Sequence, residues 1–148
     1  MNDINLFTIG FTQKTAQGFF NSIKTSGIKK VIDIRLKNAS QLSGFAKMVD
    51  LKYFLETLCD CAYVHLPLLA PTKDLLDDYK KKKITWEEYE KKFNNIIFKR
   101  KIENLITSED LNFSCFLCSE LKPDQCHRRL VVDYLIKKMK NPLIIKHL

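Results

Sequence analysis

The chain has 148 residues, 45% of them hydrophobic and 28% charged, with a formal net charge of +8. That balance excludes a disordered chain, and no apolar run approaches the roughly 20 residues that a membrane-spanning helix needs. A single soluble domain over 1–148 is the expectation, with an anionic partner favoured by the charge and a solvated lysine surface as the plain alternative.

The elements follow in chain order. Asn5 to Ile9 reads as a first short strand rich in apolar residues. Phe19, Phe20 and Ile23 recur at helical spacing, and Gly27 stands where a helix stops, so a crossover helix leads to a second strand over Lys30 to Ile34. Asp50 is a suitable cap for a helix that buries Leu51, Phe54, Leu55 and Leu58. Ala62 to Leu66 reads as a third strand. Thr85 and Glu88 have the spacing of a capping box, with Ile84 and Tyr89 at the positions of a hydrophobic staple. The face made by Tyr89, Phe93, Ile96 and Ile97 is expected in the core, and Trp86 with it. Phe113 to Cys118 is a fourth strand. Asp124 is placed to cap a helix that turns Leu130, Val131, Tyr134 and Leu135 inward, and Leu143 to Lys146 is a fifth strand. Strands alternating with helices predict an α/β fold: a single-domain three-layer sandwich with a mainly parallel five-stranded sheet, helices on both faces, Rossmann-like in layout. Short apolar strands of this kind are expected to be buried on both faces.

In such a sheet, ligands bind beyond the carboxyl ends of the strands. Those ends deliver Gly10 and Phe11, Asp33 and Arg35, His65 and Pro67, Cys118 and Glu120, and His147. The densest stretch runs from Cys118 to Arg128. With Asp124 as cap, Cys126, His127 and Arg128 fall in the first helical turn, where the helix dipole favours an anion and lowers a thiol's pKa. Asp33, Glu120, His127, Cys118 and Cys126 are therefore the candidate catalytic residues, and Arg35, Arg128, His65 and Gly10 the candidate binding residues. Each has a plain structural reading beside it. Asp33 and Arg35, two apart on a strand, share a face and can pair with each other; His65 and His127 can serve as hydrogen-bonded structural histidines; the cysteines can be small buried hydrophobes.

No cofactor is expected. Cys115, Cys118, Cys126 and His127 form a set that zinc accepts, but residues three apart on a strand point to opposite faces, so Cys115 and Cys118 cannot share a metal without a break in the strand. Five cysteines, an odd number, and a first stretch without the order of a signal peptide predict reduced thiols and a cytoplasmic protein. A phosphate-binding Walker loop, a dinucleotide glycine fingerprint and a nucleophile elbow are all missing from the sequence.

Thr8-Ile9-Gly10-Phe11, Val31-Ile32-Asp33-Ile34-Arg35, Tyr63-Val64-His65-Leu66-Pro67, and Cys118-Ser119-Glu120 followed by Pro123 and Cys126-His127-Arg128 together resemble the domain-of-unknown-function 488 family of bacteria and archaea. Ser40-Gln41-Leu42 through Phe45 and Leu69-Ala70-Pro71-Thr72 resemble one subclade, while Lys37-Asn38-Ala39-Ser40 departs from the proline-containing stretch of other members. The resemblance implies a compact α/β fold and marks Asp33, Arg35, His65, Glu120, Cys126, His127 and Arg128 as signature positions. It implies no activity. Three functions are carried forward: an enzyme or sensor for a phosphate-bearing small molecule or nucleic acid, a cysteine-dependent thiol or sulfur-transfer enzyme, and a non-catalytic module that binds nucleic acid or protein.

Overall fold

The computed structural model describes residues 2–37, 44–119 and 126–148. Five strands, β1 (Ile4–Gly10), β2 (Lys30–Asp33), β3 (Ala62–His65), β4 (Ser114–Cys118) and β5 (Leu143–His147), form one sheet in the order β3-β2-β4-β1-β5. Every neighbouring pair is parallel. The register sets Gly10 beside Cys118, Asp33 beside Leu117 and His65, and Thr8 beside His147, so all these strand ends lie at one edge.

Alternation along the strands divides the core in two. Phe7, Ile9, Val31, Cys115 and Leu117 face α1 (Ala16–Thr25) and α2 (Met48–Cys59). Ile4, Leu6, Ile32, Phe116 and Cys118 face the other layer, built from α3 (Lys73–Lys80), α4 (Trp86–Arg100), the single turn α5 (Ser108–Leu111) and α6 (His127–Lys138). The three-layer arrangement is the expected one. Burial is not uniform, however: β4 is buried throughout, whereas β3 and β5, at the sheet edges, are largely half-exposed or exposed.

The helix starts follow local chemistry. The Thr15 hydroxyl accepts from Gly18 N at the head of α1, and Gly27, at φ 73°, follows its end in the left-handed conformation glycine tolerates. Thr85 accepts from Glu88 N while Glu88 accepts from Thr85 N, completing the capping box of α4. Trp86 stacks on Tyr89, their rings 5.1 Å apart, which is the expected packing role. Two helix starts differ from expectation. α2 begins at Met48, so Asp50 is a first-turn acid rather than the cap, and the rotated stripe buries Leu51 and Leu55 but leaves Leu58 51% exposed. α6 begins at His127 with Cys126 as its cap residue; Asp124 lies outside the described residues. No helix among the described residues is long and apolar enough to cross a membrane.

Candidate functional site at the carboxyl edge of the sheet

β4 leads into α6 on one face of the sheet, while its neighbours β1 and β2 lead into α1 and α2 on the other. Connections that part in this way leave a crevice beyond the strand ends, here on both sides of β4. On the β1 side, Thr12 N donates to Ser119 O at 3.0 Å, and the Thr12 hydroxyl donates to the same carbonyl. On the β2 side, Ile34 N donates to Leu117 O at 3.1 Å.

Two histidines close on the end of β2 from different directions. His127 Nε2 lies 2.7 Å from Ile34 O, and His65 Nε2 lies 2.7 Å from Arg35 O. A carbonyl only accepts, so each Nε2 carries a proton. Burial holds the His127 pKa down at about 4, against the lesser effect of its bond to Ile34, so the ring is neutral at pH 7. Its Nδ1 faces Cys126 Sγ at 4.0 Å, and Phe93 meets the ring edge-on at 5.7 Å.

Asp33 and Arg35 pair with each other. Arg35 Nε donates to Asp33 Oδ1 at 2.8 Å and Nη2 to Oδ2 at 2.7 Å, with the Arg35 backbone N also on Oδ1 and Tyr63 Oη donating to Oδ2 at 2.6 Å. Arg35 Nη2 also donates to Ala46 O, and the guanidinium lies over the Phe11 ring, 5.2 Å from its centre. Asp33 is fully buried, and both its oxygens are engaged within the protein. The arrangement fixes the end of β2 and the carbonyls that hold the two histidines.

Arg128, at the second position of α6, is fully buried. Its charge reaches Lys14, whose pKa burial lowers first and Arg128 lowers further. Lys14, which follows the end of β1, thus lies near a second cation at the amino end of α6, whose first turn holds no acidic residue. Lys14 gave little signal in the sequence beyond standing four residues after Gly10.

Cys118 at the end of β4 and Cys126 at the cap of α6 bring their sulfurs into contact, with their Cα atoms 7.6 Å apart. Cys59, Cys61 and Cys115 are free. Cys115 belongs to the α1–α2 side of the core and Cys118 to the α4–α6 side, so the four zinc candidates do not converge. Among the described residues no group of three or more His, Cys, Asp or Glu side chains is gathered for a metal. Glu120 lies outside the described residues. Gly10 sits beside Cys118 in the sheet. A separate hollow of about 540 Å³ opens between α1 and α2, lined by Phe20, Phe45, Phe54 and Leu58 among others, and takes no side chain from this crevice.

A family model described as Domain of unknown function DUF488 matches residues 15–135. The chain belongs to that family. The DUF488 match takes in β2, β3, β4 and most of α6, and with them Asp33, Arg35, His65, Cys118, Cys126, His127 and Arg128, while β1 and β5 lie outside it. No curated protein and no solved structure matches the chain.

Proposed function

We propose that this DUF488 chain is an enzyme or sensor for a phosphate-bearing substrate, a nucleotide or a nucleic-acid end, taken up in the crevice between β1 and β4. The observation that carries the reading is Arg128: a fully buried guanidinium in the first turn of α6, with Lys14 close enough to feel its charge. A guanidinium stays protonated in proteins, and a helix start disfavours positive charge by about 0.3–1 kcal/mol near the surface. Two cations and the amino end of a helix are together stabilised by a dianion, which a phosphate supplies. His127, one residue before Arg128 and neutral with Nδ1 unprotonated, is the group that would accept a proton from the bound species. The overall charge of +8 draws anions toward the protein from a distance.

Binding of mononucleotides and of labelled single- and double-stranded DNA and RNA, at low and moderate salt, tests the reading. Lys14→Gln, at a partly exposed position, is expected to weaken binding roughly tenfold or more, the usual worth of a charge-assisted hydrogen bond. Arg128→Gln is expected to weaken it further, with circular dichroism used to confirm that the variant is folded. Binding unaffected by Lys14→Gln would remove the anion site. Salt-sensitive binding that survives both changes would instead favour a nucleic-acid surface elsewhere on the protein.

A further inference from the structure

We infer that Cys118 and Cys126 form a reversible dithiol–disulfide centre that exchanges electrons with small thiols and disulfides. The inference does not depend on the anion-binding reading.

Three observations point to it. First, the two sulfurs come from different elements, a strand end and a helix cap, and the fold brings them to each other. Second, Cys126 caps α6, whose amino end offers positive potential to a sulfur held there, and the next residue but one is Arg128. His127 presents an unprotonated Nδ1 to Cys126 Sγ because its Nε2 is committed to Ile34 O. Third, the other cysteines are set against thiolate chemistry. Cys115 is fully buried in the apolar core with its thiol pushed well up, and burial together with Cys59 pushes Cys61 up to about 12. The fold thus separates one pair suited to exchange from three cysteines that are not bonded to one another.

The Cα separation of 7.6 Å lies beyond the usual span of a bridged pair, about 4.4–6.8 Å. Closing the bond therefore draws the end of β4 toward the start of α6. Both cysteines are buried, at 1% and 3% exposure, which suits a small co-reactant better than a protein surface. In the oxidising direction, the Cys126 thiolate attacks a small disulfide RSSR, forming a Cys126–SR mixed disulfide. The leaving RS⁻ takes up the proton that Cys126 lost. Cys118 then attacks the Cys126 sulfur and expels a second RS⁻, which departs as RSH with the Cys118 proton. Two protein thiols have lost two electrons and two protons, and RSSR has become two RSH. Reduction by a small dithiol is the reverse.

The test treats the folded full-length chain with oxidised glutathione or with dithiothreitol, quenches in acid, alkylates under denaturing conditions and counts labels by intact mass with peptide mapping. Of the five cysteines, all are expected to be labelled after dithiothreitol. After oxidised glutathione two are expected to be protected, joined as Cys118–Cys126, and dithiothreitol restores full labelling without unfolding. In Cys118→Ser the second displacement is impossible, so Cys126 is expected to hold one glutathione. Full labelling after oxidation, a bond between other cysteines, a bond that resists dithiothreitol in the folded protein, or an unmodified Cys126 in Cys118→Ser would each overturn the proposal.

Discussion

The His127 imidazole, carried by α6, donates its Nε2 proton to the carbonyl of Ile34 at the exit of β2, 2.7 Å away. The helix that follows β4 is thereby tied to the strand beside β4 in the sheet.

The burial of the ring that makes that bond has a consequence for acid stability. The folded His127 pKa, about 4, lies below the ordinary value of 6.5, so between those values the unfolded chain binds a proton that the folded chain refuses. Stability from this residue is present above pH 6.5 and is lost as pH falls toward 4, by up to about 3 kcal/mol. Urea denaturation from pH 7.5 to 4 is expected to show the decline. His127→Gln keeps a donor for Ile34 O and cannot titrate, so its curve is expected to be flatter through the same window.

Asp33 is predicted to serve the fold. Asp33→Asn removes the charge that faces a buried guanidinium, and breaking such a pair costs about 3–5 kcal/mol. Tyr63→Phe removes one donor from an oxygen that keeps its bond to Arg35 Nη2, at a cost of about 1 kcal/mol. The two variants are expected to differ in denaturation midpoint by that margin. Equal stabilities would mean that the buried pair contributes nothing.

The α4 capping box is distant from the crevice in its effects. Thr85→Ala is expected to destabilise the protein by about 1 kcal/mol, measured by thermal or urea unfolding, and to leave nucleotide binding as in the wild type.

The three free cysteines are expected to react in order of exposure. Cys59, half-buried and with Lys24 near enough to offset part of the effect of burial, takes iodoacetamide first at pH 8. Cys61 and Cys115, with thiols pushed far above neutrality, are expected to stay unlabelled until the protein unfolds. Peptide mapping of a labelling time course checks the order.

The sheet was legible because each strand is a short apolar run bounded by turn residues, and that pattern needs no partner to be visible. What it lacked was position: nothing in Ala62 to Leu66 distinguishes an edge strand from a central one, so its exposure came only with the topology. The start of α2 was misplaced because Asp50 is the best capping side chain nearby, while Lys47 occupies the cap without any side-chain bond. α3, a polar helix burying only Leu75, offered too weak an apolar stripe to be read. At the site, the convergence of Asp33, Arg35, His65, Cys118, Cys126, His127 and Arg128 on one edge followed from strand ends alone. Partnership did not. That Asp33 would be closed off by Arg35 and Tyr63, or that Lys14 would come within reach of the Arg128 charge, depends on the tertiary fold, which no local spacing encodes.

β1 stands between β4 and β5, with Leu6 paired to Ser114 and Ile4 to Leu143. During synthesis, β1 therefore has no ladder to join until β4 has been made. The β2–β3 pairing, linked by α2, closes over a short stretch of chain and is free to form early. β4 then enters between β2 and β1, joining the early half to the waiting strand. The crevice flanking β4 exists only from that moment, so Asp33, Arg35 and His65 wait in the nascent chain until the segment that completes the site has followed.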